Sequence, residues 1–303
     1  MAAGDCPAVP IVSLAAPEEE ATKVLREACT KHGFFYLVNH GIPEELIAST
    51  FAAQRAFFSL PLESKLRIAA DDNNRGYTPF EEETLDPEGS KRGDTHEGLY
   101  FGRHVEPGSP EAALPLHGPN QWPAEELVPG YRQATEAYLE AVAALGFRLL
   151  CLLGLSLGLG ADYFAPLFAR PMVFLRPLHY SAEKSDPAQG LFAAGGHTDY
   201  GMLTILKTDG TPGLQICTDP LEGWRDVPPI EGAFNINIGD MLSRWTNGAY
   251  RSTLHRIVTA GGVERYSLPF FFEPSFDTVV DALPQVTADP GAEQGRAGQG
   301  QGR

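Results

Sequence analysis

Apolar positions in the first half of the chain recur at helical spacing between short apolar runs. VPIVSL at 9–14 is β-branched and predicts a short strand. A helix is predicted from Pro17: three glutamates occupy its first turn, Ala21, Val24, Leu25 and Ala28 repeat along one side, and Gly33 stops it. FFYLV at 34–38 predicts a second strand, and Pro43 opens a helix carrying Leu46, Ile47, Phe51 and Phe58. Residues 69–123 are rich in Gly, Pro and charge and hold no sustained period, which predicts loops with short elements and a candidate lid. A long helix is predicted from about Pro129 to Leu157, with Tyr131, Tyr138, Val142, Leu145, Leu149 and Leu152 or Leu153 along one side. Gly154 and Gly158 within it imply close packing or a frayed end.

Beyond Pro171 the texture changes to short strands broken by turns: MVFLRPLHYS, GMLTILK, LQIC, AFNINIG, LHRIV and RYSLPFFF. Their even spacing predicts a mainly β protein with flanking helices, its core a sandwich or a barrel-like jelly roll. Three segments are expected. Residues 1–125 form an N-terminal α/β region packing on the core, and 126–287 hold the long helix and the jelly-roll domain. The polar, glycine-rich tail 288–303 is expected to be disordered, having almost nothing apolar to bury. No internal repeat is found.

Composition narrows the function. At 303 residues the chain can bury a full core, and 43% hydrophobic with 20% charged residues is an ordinary globular balance. A net charge of −16 opposes binding to nucleic acid or anionic lipid through the bulk field, so a small anionic ligand would need a local basic pocket. Cys6, Cys29, Cys151 and Cys217 lie far apart without a CxxC pair, as expected of reduced thiols. No basic region followed by an apolar run marks a secretory signal, and the apolar stretch Leu145–Leu159 is short and contains Arg148, which suits a buried helix better than a membrane span. The expectation is a cytoplasmic monomer acting on a small molecule.

His197 and Asp199 sit two apart in GGHTDYGMLTIL. On a strand or strand end, a period of two sends both side chains to one face. An imidazole beside a carboxylate supplies two ligands of a 2-His-1-carboxylate triad, which leaves positions open on iron(II). His255, in RSTLHRIV, follows far enough on for strands to wrap round and return. Alone, an HxD pair is as well explained by a surface turn, and His255 by a satisfied core histidine. Arg265 and Ser267 are again cofacial, with Tyr266 on the other side. Ala260, Gly261 and Gly262 predict a tight turn between LHRIV and ERYSLPF, and a hairpin there would make His255 and Arg265 near cross-strand neighbours. An arginine inside a barrel is costly unless it meets an anion: a ligand, or internally Asp240 or Glu264. Arg75, Tyr77, Tyr100 and Phe272 are candidate substrate-pocket residues, and ordinary packing or an exposed loop would explain each about as well.

The chain resembles the isopenicillin N synthase-like branch of the 2-oxoglutarate and iron(II)-dependent oxygenases. The resemblance is carried by VPIVSL, HGFFYLVNHGIP at 32–43, RGYTPF at 75–80, LRPLHYS at 175–181, GGHTDYGMLTIL, NIGDML at 237–242, STLHRI at 252–257 and RYSLPFF at 265–271. It implies a double-stranded β-helix with His197, Asp199 and His255 on iron, and 2-oxoglutarate chelating the metal with its distal carboxylate held by Arg265 and Ser267. Tyr180 falls where many members add a hydrogen bond to the cosubstrate, whereas Leu178 replaces their asparagine and removes that polar contact. The implied reaction uses dioxygen, converts 2-oxoglutarate to succinate and carbon dioxide, and hydroxylates, demethylates or desaturates a small organic molecule, with ascorbate as a possible reductant. Residues 76–103 look most like a subgroup linked to nitrogen-heterocycle catabolism. Two alternatives stay open: an iron oxidase of this fold that does without 2-oxoglutarate, and a non-catalytic jelly-roll binding protein.

Overall fold

The computed structural model describes residues 9–283; the tail 288–303 and Cys6 lie outside the described residues. In chain order the strands are β1 (Ile11–Ser13), β2 (Phe34–Val38), β3 (Gly76–Thr78), β4 (His96–Gly102), β5 (Pro171–Leu175), β6 (Leu178–Tyr180), β7 (Ala194–His197), β8 (Leu203–Thr208), β9 (Leu214–Cys217), β10 (Arg225–Asp226), β11 (Phe234–Ile238), β12 (Leu254–Ile257) and β13 (Arg265–Ser275). The α-helices are α1 (Glu18–Lys31), α2 (Glu44–Phe58), the single turn α3 (Leu62–Lys65), α4 (Tyr131–Ser156) and α5 (Asp240–Trp245). The large sheet runs β1-β2-β11-β8-β13-β5-β4-β3, with β6 bridging β13 and β4; a smaller sheet runs β10-β9-β12-β7. The two form the sandwich of a double-stranded β-helix, and strands from the first 125 residues extend the large sheet at both edges.

The outer face of the large sheet is covered by helices. Leu25 and Ala28 of α1, Ile47 and Phe51 of α2 and Tyr138, Val142, Leu145 and Leu149 of α4 join Phe35, Ile205, Ile236, Phe270 and Phe272 in one core. Gly146 allows the close approach of α4, since a Cβ there would come within 2.8 Å of the Phe272 ring. Gly154 likewise admits the Gly160 carbonyl, which a Cβ would meet at 2.2 Å, and Gly158 turns the chain away at φ +73. By length and composition alone α4 could cross a membrane, but its apolar stripe packs on this sheet. Cys29, Cys151 and Cys217 are free thiols.

Buried on both faces, β2 is apolar throughout: Phe35 and Leu37 face the helices, Phe34 and Tyr36 the space between the sheets. In β11 the alternation is inverted, with apolar Phe234, Ile236 and Ile238 meeting the helix layer while Asn235 and Asn237 point between the sheets. Polar side chains on the inner face of a sandwich mark an internal site.

One expectation is filled in here and another fails. The stretch 69–123 holds loops with short elements, among them β3 and β4, and β4 pairs with β3, β5 and β6. Its sequence HEGLYFG breaks the apolar pattern because His96, Gly98 and Tyr100 face the interior site. The turn at 260–262 does not close a hairpin. Gly261 and Gly262, both at φ +81, instead carry the chain from the small sheet to the large one, where β13 pairs with β5, β6 and β8.

Candidate metal centre

β7 ends on His197, and β12 sets His255 directly opposite it in register. Asp199 follows just past the strand end. Asp199 Oδ1 lies 3.6 Å from Nε2 of each histidine, and the three atoms all fall within 4.8 Å of one another. Each ring is turned by its far nitrogen. Nδ1 of His197 lies 2.8 Å from the Gly195 carbonyl and Nδ1 of His255 lies 3.1 Å from that of Thr253. A carbonyl only accepts, so both Nδ1 atoms carry the proton and both Nε2 lone pairs face the carboxylate. Burial, reinforced by His197, pushes His255 down to about 4 against the pull of Asp199, which keeps the ring neutral. Asp199 Oδ2 accepts from Thr204 Oγ1 and, at 2.7 Å, from Asn237 Nδ2. Burial would raise Asp199, but the pull of the two histidines in their protonated form and these two donors outweigh it and hold the carboxyl below its usual range. Two neutral imidazoles, one anionic oxygen and no thiolate suit iron(II).

Arg265 is 1% exposed and has no carboxylate partner among the described residues. Its Nε donates to the Thr211 carbonyl at 3.3 Å, its guanidinium lies 4.8 Å above the Tyr180 ring, and Nη1 is buried without a partner. The two acids that could have paired with it are engaged elsewhere: Glu264 accepts from Tyr266 and Asp240 from Thr198. Ser267 Oγ sits 3.4 Å from the Tyr180 hydroxyl. Arg265 and His255 are not cross-strand neighbours, since they stand on opposite sheets and face one cavity from two sides. A buried guanidinium with a spare donor fits a dianion such as 2-oxoglutarate.

That cavity has a volume of about 770 Å³ and is lined by the triad, Tyr180, Arg265 and Ser267 together with Leu178, Met172, Phe174, Leu85 and Tyr100. Leu178 contributes only apolar surface, as the departure from the family pattern implies. Of the four candidate pocket residues, Tyr100 alone lines the cavity. Arg75 instead ties loops together, donating to the carbonyls of Asn73, Asn74 and Leu116. The Tyr77 hydroxyl is spent on Glu97 in the core, and Phe272 packs outward against Gly146 and Phe168. The alternation that turns Arg265 and Ser267 inward places Phe271 and Glu273 in the cavity, not Phe272.

Sequence reasoning also missed Glu83, His96 and Arg176. Glu83 lies on the loop between β3 and β4, which closes one side of the cavity. Asp94 pins that loop by accepting from Leu85 N and Gly195 N, both at 2.9 Å, and glycine at 195 leaves room for Asp86, which a Cβ would crowd at 2.8 Å. Glu83 stays ionised, because His96 and Arg176 outweigh the burial that would otherwise raise its carboxyl.

Glu273 predicts a pH-dependent stability. Gly201 makes space for it, and its carboxylate accepts from Met202 N. Burial pushes Glu273 up from 4.5 to about 8, opposed by the Met202 N–H and aided by the Asp199 charge. The folded state therefore favours the protonated acid. The stability from that preference is complete below the unfolded value of 4.5 and is lost as the pH rises through about 8. Glu273→Gln should raise the Tm of the metal-free protein by several degrees at about pH 8.5 and by little at about pH 5. Equal shifts at both would show that Glu273 does not titrate in this window.

Residues 9–125 match the family model of the non-haem dioxygenase in morphine synthesis N-terminal region, and 173–274 that of the 2OG-Fe(II) oxygenase superfamily. Kihadalactone A synthase LFS of Citrus sinensis is 34% identical over 285 residues, covering 92% of this chain and 84% of the relative. The 2-oxoglutarate-Fe(II) type oxidoreductase hxnY of Emericella nidulans is 37% identical over 277 residues, covering 89% and 78%. The crystal structure of a full-length Neurospora crassa protein in complex with alpha-KG and thymine superposes with a TM-score of 0.80 at 29% identity, covering 93% of this chain and 91% of that one. Matched in sequence and fold along most of its length, the chain belongs to the 2-oxoglutarate and iron(II)-dependent oxygenases and is a dioxygenase that oxidises a small organic molecule with release of succinate and carbon dioxide.

Proposed function

We propose that His197 Nε2, Asp199 Oδ1 and His255 Nε2 hold the iron, and that Arg265, Ser267 and Tyr180 hold the distal carboxylate of 2-oxoglutarate. The observation that carries this assignment is the buried, unpaired Nη1 of Arg265 in the cavity that the triad lines. Iron with 2-oxoglutarate and dioxygen supplies the oxidation of a substrate C–H bond. The protein's own part is positional. Gly195 and Thr253 aim the two imidazoles, Thr204 and Asn237 aim the carboxylate, and the ring of Tyr180 supports the guanidinium.

The remaining cavity takes the substrate. Its apolar lining and the thymine bound to the Neurospora crassa protein support a small, ring-shaped, nitrogen-containing molecule. A screen of small organic acids and N-heterocycles for substrate-dependent succinate formation tests the reading. One or more N-heterocycles should raise succinate release in step with oxygen uptake. Failure of 2-oxoglutarate to bind the iron-loaded protein would favour an oxidase drawing its electrons elsewhere.

A further inference from the structure

Arg265, Tyr180 and His96 stand side by side on three neighbouring strands of the large sheet, Tyr180 being paired in register with both of the others. Beyond His96 the cavity wall carries a second charged group, formed by Glu83, Arg176 and Tyr100. Arg176 is 4% exposed, and its Cζ lies over the Tyr100 ring, 3.7 Å from the centroid. Both of its Nη atoms donate to Thr78 Oγ1 at 3.2 Å, and Nη2 also donates to Glu83 Oε2 at 3.1 Å. Glycine at 98 is needed for this placement, since a Cβ there would come within 2.9 Å of Nη1. Glu83 Oε2 also faces His96 Nε2 at 2.9 Å, while the other nitrogen of that ring is fixed 2.7 Å from the Ala193 carbonyl.

The two oxygens of Glu83 are therefore unequal. Oε2 accepts from Arg176 Nη2 and faces His96 Nε2, whereas Oε1 has only the Tyr100 hydroxyl at 3.3 Å, near the limit of a hydrogen bond. Three of the four terminal N–H groups of Arg176 are spent inside the cluster, on Thr78 and Glu83. What the cluster offers the cavity is an acceptor: an ionised oxygen on a carboxylate held from behind. Leu85, Leu116, Met172, Phe174 and Phe276 make the surrounding wall apolar.

We infer that Glu83 is the specificity-determining residue of this oxygenase, its Oε1 accepting a hydrogen bond from a ring N–H or O–H of an uncharged, largely apolar substrate. The inference rests on the proposed function and narrows its substrate class. An anionic substrate would meet the Glu83 charge, and Glu83 and Thr78 together hold the Arg176 side chain in place. A neutral ring with one donor satisfies Oε1 and buries its remaining surface against the apolar wall.

The test is calorimetric titration of the iron- and 2-oxoglutarate-loaded protein, kept free of oxygen, with three probes: 2-quinolone, N-methyl-2-quinolone and quinoline-2-carboxylate. The N–H lactam should bind about 10- to 100-fold more tightly than its N-methyl counterpart, the range expected for one hydrogen bond to a charged group. Glu83→Gln, which keeps the shape of the side chain and its link to Arg176, should remove most of that preference. Equal affinity for the N–H and N-methyl probes in the wild type would overturn the inference. So would tighter binding of the carboxylate, or no binding of any probe at millimolar concentration. Titration of 2-oxoglutarate into the iron-loaded wild type, without a probe, tests the earlier reading separately.

Discussion

Replacing His255 with alanine should strip the protein of iron(II). Residues that merely orient a metal ligand already alter affinity or activity by about 10- to 100-fold when lost, so losing a ligand should cost more. His255 is also 8% exposed, packs edge-on against Phe34 at 5.3 Å and sits on a strand paired on both sides. Iron content after desalting and substrate-dependent succinate release should both fall below a few per cent of the wild type. His197→Ala and Asp199→Ala should behave alike, because Oδ1 and the two Nε2 atoms face one point. A His255→Ala protein with normal iron content and full turnover would remove the triad from the mechanism.

Arg265→Gln should leave iron bound and weaken 2-oxoglutarate. Losing one partner of a buried charge pair costs about 2–5 kcal/mol, roughly 30-fold to several thousand-fold in affinity, and the apparent KM for 2-oxoglutarate should rise by that order. Arg265→Lys should recover only part, since an ammonium cannot reproduce the planar two-point contact. Ser267→Ala should cost less, about 1.5–3 kcal/mol for one hydrogen bond to a charged group. Loss of iron in Arg265→Gln with unchanged 2-oxoglutarate affinity would make the arginine structural. In that event the unpaired Nη1 would need another anion.

The pairing of His197 with Asp199 was legible in the sequence because its logic is local: two residues two apart on a strand share a face. His255 stands far along the chain, and only the motifs of the family resemblance joined it to the pair. The helices were legible for a similar reason, since Tyr138, Val142, Leu145 and Leu149 repeat along one side of α4. What stayed hidden depends on how the sheets are assembled. The turn at 260–262 looks like a hairpin, and nothing in AGG tells whether the chain folds back on itself or crosses to the facing sheet. Short elements were expected over 69–123, but β4 could not be placed among them because its inward residues, His96 and Tyr100, serve the cavity and interrupt the apolar pattern that marks a strand. Phe272 was a different kind of miss: counting by twos from Arg265 reaches Phe271. The Glu83 cluster joins three distant segments, and only the pairing of β4 with β5 and β6 brings them together.

The buried guanidinium of Arg265 also bears on how a catalytic cycle ends. On the proposed assignment, it holds the carboxylate of 2-oxoglutarate farthest from the bond that breaks. Succinate keeps that carboxylate intact and differs only at the other end, where a carboxylate replaces the keto acid. Arg265 therefore cannot distinguish product from cosubstrate: whatever it contributes to loading the one, it contributes equally to retaining the other. Discrimination falls to the metal end, where succinate presents a plain carboxylate in place of the 2-keto acid. The arginine thus sets an affinity common to both dicarboxylates, and the pace at which succinate leaves is decided on the opposite sheet.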